Sequence, residues 1–262
     1  MKSLICYYSG SGNTKLACRY LAAHSGIAFD LVDVIADAAP DFALYDVVGL
    51  ACSTDFWGVP QRFATFLAQI PPQAGKPAFL LTTFGALSGK TFSSLAEQVS
   101  ARGFTIVGGH SLRMPESYPP MIARGMTAAN EPGPKAMLKF DAFIAELSDR
   151  LGKVERGESA QARSVPIGLL NSLFASKPRT AARDDMGEKF VDGELCIECG
   201  TCAKGCPYHA IELAPKPVFD MSACYGCWRC YNRCAQHAIY TQKLRGPYYP
   251  RPSEETLETL KT

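Results

Sequence analysis

Short apolar runs alternate with amphipathic segments along residues 1–151 of this chain. The apolar runs predict five buried strands, at residues 2–8, 27–33, 45–51, 78–83 and 104–108. Apolar residues at spacings of three and four predict helices at residues 13–24, 60–70, 91–101 and 135–151. Strands that are apolar on both faces are typical of a parallel sheet covered by helices on each side. The pattern therefore predicts an α/β fold with a doubly wound, five-stranded parallel sheet.

Two segments break this alternation. Residues 110–133 contain four prolines and no clear period, which predicts a long loop, either ordered beside a site or running over the surface. Residues 152–188 are polar apart from an apolar stretch at 165–174. We interpret them as a linker with a short helix that docks one domain onto the other.

A sequence repeat with a period of 28 residues begins near Lys189. The repeated cysteines are Cys196, Cys199, Cys202 and Cys206, and then Cys224, Cys227, Cys230 and Cys234. Copies this short cannot bury a normal hydrophobic core, so the cysteines must hold the structure together. We therefore predict a small α+β domain at residues 189–242, followed by a C-terminal tail at residues 243–262.

Composition narrows the possible functions. The net charge of +2 argues against bulk attraction to nucleic acid or to an anionic membrane, and no apolar stretch predicts a membrane span. The N-terminus lacks the features of a signal peptide, so a cytoplasmic location is expected. Eight of the eleven cysteines lie between Cys196 and Cys234, which indicates metal, whereas Cys6, Cys18 and Cys52 are expected to pack as small core residues.

The spacing of the clustered cysteines is specific. Each copy reads C-x2-C-x2-C-x3-C, followed by Pro207 in the first copy and by Ala235 in the second. The run resembles that of bacterial ferredoxins with two [4Fe–4S] clusters, in which the fourth cysteine of each run binds the other cluster. The resemblance implies a first cluster held by Cys196, Cys199, Cys202 and Cys234. It implies a second cluster held by Cys224, Cys227, Cys230 and Cys206. Structural zinc and disulfides are the alternatives, although zinc takes two separated cysteine pairs.

Residues 222–253 contain five basic side chains and no acidic one. The basic residues are Arg229, Arg233, Lys243, Arg245 and Arg251. Thiolate-ligated clusters carry negative charge, so these side chains either compensate it or form a docking face for an acidic redox partner.

A turn rich in glycine and hydroxyl groups follows the first predicted strand and precedes the first helix. It reads Ser9-Gly10-Ser11-Gly12-Asn13-Thr14, and such a turn can bind an anion through hydroxyls and backbone N–H groups. Lys15 stands where a GxGxxG loop requires its third glycine. Gly89-Lys90-Thr91 resembles the end of a Walker A loop, but Phe84 occupies the position of the first glycine that such a loop requires. Neither fingerprint is therefore complete.

This turn resembles the phosphate loop of flavodoxins, which binds FMN through neutral hydroxyls and amides. The resemblance implies FMN contacts from Ser9, Gly10, Ser11, Gly12, Asn13 and Thr14. It also implies contacts from the loops after the third and fourth strands, namely from Ser53, Thr54, Asp55, Phe56, Trp57, Gly58, Thr83, Phe84, Gly85 and Gly89. Trp57 and Phe84 are placed to flank the isoalloxazine ring, with ordinary core packing as the alternative for Trp57. Tyr118 is a further candidate to cover the flavin.

The layout of the whole chain resembles the flavodoxin–ferredoxin fusion proteins of anaerobic microbes. This implies an electron-transfer protein that passes electrons between two [4Fe–4S] clusters and FMN, with a redox protein as donor or acceptor. The alternative is an FMN-dependent reductase of a small, quinone-like acceptor, for which Asp55 and Glu116 are the candidate acids. A redox sensor would need a nucleic-acid module, and none is visible.

Overall fold

The structure is a computed structural model that describes residues 1–159, 161–162, 179–249 and 252–261. The N-terminal domain is built on five parallel strands in the order β2-β1-β3-β4-β5. The strands are β1 Ser3–Tyr8, β2 Phe29–Asp33, β3 Val47–Ser53, β4 Pro77–Phe84 and β5 Thr105–Arg113. This is the flavodoxin-like order, and it confirms the predicted α/β fold.

Helices cover both faces of this sheet, as the apolar strands require. They are α1 Asn13–His24, α2 Gln61–Gln69, α3 Thr91–Ser100, α4 Pro119–Ile122 and α5 Pro134–Glu155, with a short 3-10 turn at Phe42–Leu44. Successive residues of a strand point to opposite faces. Ile5 and Tyr7 of β1 accordingly pack in the core beneath α1 and α5, whereas Leu4 and Cys6 pack beneath α2 and α3.

The C-terminal domain repeats one small unit twice. Its strands are β6 Lys189–Val191, β7 Ile211–Leu213, β8 Pro217–Phe219 and β9 Ile239–Thr241, and its short helices are α7 Thr201–Lys204 and α8 Arg229–Arg233. Strand β6 pairs with β9 and β7 pairs with β8, both antiparallel. The few aliphatic residues pack around Trp228 and Tyr231 together with the cysteines.

The two halves of the sequence repeat adopt the same backbone conformation. Residues 28 apart share a positive φ at three places, where L side chains are rarely found. The pairs are Glu198 and Gly226 (56° and 78°), Gly200 and Trp228 (69° and 59°), and His209 and His237 (51° and 52°). The repeat in the sequence is therefore a repeat in the structure.

Several segments differ from the sequence expectation. Residues 110–113, predicted as loop, extend β5, and α4 interrupts the rest of the proline-rich segment. Residues 254–261, predicted as tail, form α9 (Glu254–Lys261), which packs against α1 and buries Leu260 in the sheet core. The stretch at 165–174, predicted to dock one domain onto the other, lies outside the described residues. Before β6, α6 spans Arg179–Met186. No helix in the described ranges is long and apolar enough to cross a membrane.

Candidate functional site

The two cysteine loops are shaped by equivalent hydrogen bonds. The side chain of Asp192 accepts from the backbone N–H groups of Glu194 (3.0 Å) and Leu195 (3.3 Å), just before Cys196. Asp220 does the same 28 residues later, accepting from Ser222 N (2.8 Å) and Ala223 N (3.2 Å) before Cys224. These turns fix the start of each cysteine run, because a side chain that accepts from the next N–H groups stabilises a turn.

The fourth cysteine of each run is also held alike. Cys206 Sγ accepts from Ala210 N at 3.4 Å, and Cys234 Sγ accepts from Ala238 N at 3.3 Å. N–H···S bonds of this kind are among the interactions that set cluster potentials. The loss of proline at Ala235 leaves this contact in place.

The second run and the fourth cysteine of the first run share one small cavity. Its lining includes Cys224, Cys227, Cys230 and Cys206, the set that the ferredoxin resemblance implies for the second cluster. In the described part of the chain, no three Cys, His, Asp or Glu side chains converge on a point suited to one metal ion. What supports a cluster here is the donor set, because four cysteines from two separate runs line one site, as the ligands of a [4Fe–4S] cluster do.

The two cysteine sets lie in different surroundings. Cys199 of the first run is exposed, and hydrogen bonds from the side chain and backbone of Thr201 lower the pKa of its thiol. Cys227 of the second run is half-buried in the wall of the cavity next to the N-terminal domain, and burial raises the pKa of its thiol to about 12. Solvent exposure is a determinant of cluster potential, so clusters bound by these two sets would not be equivalent.

A cavity of about 480 Å³ lies between the two domains, at the carboxyl edge of the parallel sheet. This is the edge at which doubly wound sheets bind ligands, and the volume is within the range of small-molecule sites. Cys227 and Trp228 of the second cysteine run form part of its wall. The cavity therefore brings the second cysteine run next to the loops that resemble those of flavodoxins.

Eight of the sixteen residues predicted to bind FMN line this cavity. They are Gly10, Ser11, Ser53, Thr54, Asp55, Phe56, Trp57 and Gly85. The other eight are not in its wall, namely Ser9, Gly12, Asn13, Thr14, Gly58, Thr83, Phe84 and Gly89. The predicted pair of flanking aromatics is therefore represented in the wall by Trp57 and not by Phe84.

Protein partners explain why several phosphate-loop side chains turn away from the cavity. Ser9 Oγ accepts from Lys15 N at 3.2 Å, and Thr14 Oγ1 lies 2.8 Å from the hydroxyl of Thr83. The amide of Asn13 donates to the carbonyl of Pro115 at 3.0 Å. What the loop still offers is its backbone: α1 begins after Gly12 without any side-chain cap, which leaves N–H groups of its first turn for an anion.

The loop after β3 has a strained shape that Gly89 accommodates. Asp55 and Gly58 exchange two backbone hydrogen bonds of 3.0 Å, and Phe56 and Trp57 between them adopt positive φ angles of 47° and 64°. Gly89 packs so closely on this turn that an added Cβ would lie 2.2 Å from Trp57 Cβ. Such strain is typical of functional sites. Gly89 therefore supports the predicted flavin loop by packing against Trp57, although it is not in the cavity wall itself.

The cavity wall also contains Tyr118, together with Trp228 and Asn232, which the sequence did not single out. Tyr118, only a minor candidate beforehand, lines the cavity and contacts Phe56 edge-on, with ring centroids 5.2 Å apart. Trp228 Nε1, Asn232 Oδ1 and Thr54 Oγ1 belong to wall residues, are buried, and have no hydrogen-bond partner among the residues that the structure describes. Buried polar atoms require a partner. A planar group such as a flavin ring fits a wall that carries aromatic side chains, here those of Phe56, Trp57 and Tyr118.

Of the five basic residues in the C-terminal charge run, Arg229 and Arg233 contact the N-terminal domain, whereas Lys243 and Arg245 are exposed. Arg229 is 5% exposed and donates to the carbonyl of Ser9, and Arg233 donates to the carbonyl of Gly10 at 3.1 Å. Both guanidinium groups therefore join the C-terminal domain to the phosphate loop. Arg245 pairs with Asp192, Lys243 donates to the carbonyl of Asp184, and Arg251 is outside the described residues. A sequence does not reveal which basic residues an adjoining domain covers.

Comparison with known proteins agrees with this two-part layout. The family of 4Fe-4S dicluster domains matches residues 195–238. The polyferredoxin protein MvhB of Methanothermobacter marburgensis is 37% identical over 54 residues, which is 21% of this chain and 13% of that protein. The chain thus joins an iron–sulfur domain of the dicluster type to a flavodoxin-like domain, the layout of a flavodoxin–ferredoxin fusion.

Solved structures resemble the N-terminal part at low identity. An archaeal flavodoxin covers 58% of this chain and 99% of its own length, at 16% identity and a TM-score of 0.43. Flavodoxin 1 from Bacillus cereus covers 57% and 98%, at 18% identity and a TM-score of 0.43. For rubredoxin oxygen:oxidoreductase from Desulfovibrio gigas, the match covers 58% of this chain and 36% of that protein, at 18% identity and a TM-score of 0.44. The fold assignment rests on the strand order.

Proposed function

We propose that this protein transfers electrons between two [4Fe–4S] clusters and an FMN bound in the cavity between its domains. The observation that carries the proposal is that Cys227 and Trp228 share that cavity with Ser11 of the phosphate loop and Trp57 of the second flavin loop. FMN accepts two electrons, whereas each cluster carries one. The arrangement would therefore link one-electron to two-electron chemistry without diffusion between two proteins.

The cavity residues have separate roles in this proposal. The backbone around Gly10 and Ser11 would bind the phosphate at the start of α1. Trp57 and Tyr118 would pack against the isoalloxazine ring, and Trp228 and Asn232 of the C-terminal domain would form part of the wall around it. The C-terminal domain thus contributes to flavin binding as well as to electron transfer.

Exposure indicates the order of the electron carriers. The loop of the first cluster is open to solvent, with Cys199 exposed and Ile197 64% exposed. The second cluster is covered, and its Cys227 borders the cavity. We infer that a redox-protein partner exchanges electrons with the first cluster, and that the second cluster relays them to or from the flavin.

The reductase alternative has less support at the site. Glu116, one of its two candidate acids, accepts hydrogen bonds from three backbone N–H groups, those of Ala86, Ser117 and Tyr118, each at 2.9 Å. It therefore braces the loop after β4 rather than presenting a proton. Asp55 accepts from the hydroxyl of Tyr225 at 3.2 Å, which ties it to the C-terminal domain.

An anaerobic reductive titration of the protein with both cofactors reconstituted tests the proposal. Absorbance and EPR should show four electrons per chain, two in the flavin and one in each cluster, with iron and flavin contents measured on the same sample. Clusters without a retained flavin would refute the FMN assignment, and zinc in place of iron would refute the clusters. Saturable reduction of a small quinone, faster than transfer to a ferredoxin-type acceptor, would favour the reductase.

A further inference from the structure

We propose that Lys189 raises the reduction potential of the second cluster and so makes the two clusters electrochemically different. This inference rests on the proposed pair of clusters. Lys189 is the first residue of β6 and is only 8% exposed, although it carries a charged side chain. Lysine is almost never buried to this extent without a partner.

The side chain of Lys189 is aimed at the second set of cysteines. Its Nζ atom lies 3.1 Å from Cys224 Sγ and 3.4 Å from Cys230 Sγ, and the residue lines the small cavity that those thiols share with Cys206 and Cys227. Among the described residues, the sulfurs of Cys224 and Cys230 are the polar partners of the Lys189 ammonium group. The ammonium group also lies 5.7 Å from the ring centroid of Phe219. Its position is therefore explained by negative charge in the cavity.

Electrostatics give the direction of the effect. A buried cation is costly unless an opposite charge accompanies it, and a cubane cluster with four thiolates is such a charge. Reduction adds one further negative charge to the cluster, so a fixed ammonium nearby stabilises the reduced state more than the oxidised one. Burial alone acts in the opposite direction, since it disfavours the more highly charged reduced cluster. Lys189 offsets that effect at the cluster that is hidden from solvent.

The sequence repeat provides an internal comparison. The residue 28 positions after Lys189 is Pro217, which is the first residue of β8 and is buried in the same way. Proline has neither charge nor an N–H donor. The first cluster therefore has no counterpart of Lys189 at the equivalent position. The basic residue that acts on its Cys199 is Lys204, which is exposed and screened by water.

The functional consequence is a favourable step inside the protein. An electron that enters at the exposed first cluster would meet a buried second cluster, which burial alone would make the poorer acceptor. With Lys189 in place, the second cluster accepts the electron more readily and can pass it to the flavin proposed to occupy the cavity. Lys189 therefore acts on electron transfer through the potential of the second cluster and not by contact with the flavin.

The test is redox potentiometry monitored by EPR on the full-length holoprotein, with the variants Lys189→Met and Lys204→Met compared with the unchanged chain. Methionine keeps the length of the lysine stem and removes its charge. We expect K189M to lower one of the two midpoint potentials by at least about 59 mV. For a one-electron couple, this is a tenfold decrease in the ratio of reduced to oxidised cluster at a given potential. We expect the other cluster to be unaffected, and K204M, which removes the same charge from the surface, to shift neither by that much.

Iron content separates failure of this inference from failure of the proposed function. An unchanged chain without two cubane clusters refutes the clusters themselves. If K189M retains both clusters and its potentials are unchanged, or both shift equally, Lys189 has no specific role. If K189M loses iron, Lys189→Gln is measured in the same way, because it keeps an N–H donor without the charge. The same downward shift of one cluster supports the proposal, and unchanged potentials overturn it.

Discussion

The contact between Arg229 and the phosphate loop is the most direct test of how the two domains are held together. The Arg229→Met variant removes a guanidinium that is 5% exposed and donates to the carbonyl of Ser9, while Arg233 still donates to Gly10. Hydrogen bonds from charged groups contribute about 1.5–3 kcal/mol each. Loss of one such bond, about 2 kcal/mol, corresponds to domain docking that is weaker by about 30-fold.

Hydrogen exchange of the amides in residues 9–14, read by mass spectrometry, measures this docking. We expect exchange in Arg229→Met to be faster by about the same 30-fold factor, and electron transfer between the second cluster and the flavin to be slower. Arg245→Met is the matched control, because Arg245 has the same charge and lies in the same domain, but its side chain is 57% exposed and pairs with Asp192 at the surface. If the amides of residues 9–14 exchange at the same rate in Arg229→Met as in the unchanged chain, and iron content is intact, this account of the interface is refuted.

Three further changes test other parts of the structure. Gly85→Ala should destabilise the protein by about 1–3 kcal/mol and weaken flavin retention, because the new Cβ would lie 2.5 Å from Glu116 Oε2; thermal unfolding and flavin content check this. Cys227→Ser should lower iron content while flavin remains bound, since only one cage loses a ligand; equal loss of both cofactors would contradict it. Burial, and then the charge of Lys139, lower the pKa of His110 from 6.5 to about 4, so stability present above pH 6.5 should be lost as the pH falls towards 4. The loss is at most about 3 kcal/mol, and urea unfolding at pH 7 and pH 5 should show less of it in His110→Phe.

The sequence predicted the elements of the N-terminal domain because its local and global signals agree. The helix expected at residues 13–24 is α1, and each expected strand overlaps an observed one within a few residues. The 28-residue repeat predicted two equivalent cysteine loops, which the shared positive φ angles bear out. Where the local signal was weak, in the proline-rich segment and the C-terminal tail, the extension of β5 and the helices α4 and α9 were not predicted. Strand β5 and helix α9 acquire their structure from packing on the sheet and on α1.

Candidate site residues divide in the same way. Types and spacings identified the cysteine runs and the flavodoxin-like turn, because these chemistries constrain neighbours along the chain. They did not reveal that Ser9, Asn13 and Thr14 have side-chain partners within the protein, or that Phe84 is outside the cavity wall. Such partners come from distant residues, and only the folded chain shows which distant groups meet.

By itself the sequence determined the fold class and the repeat and predicted the kinds of cofactor, since each depends on patterns within a few tens of residues. Tertiary structure decided how the two domains face one another. It placed Cys227 in the wall of the cavity between the domains, turned Arg229 inward onto the glycine-rich loop before α1, and buried Lys189 against one set of cysteines and not the other. These relations join residues as many as 220 positions apart, and they depend on surface complementarity between folded domains, which no local pattern encodes.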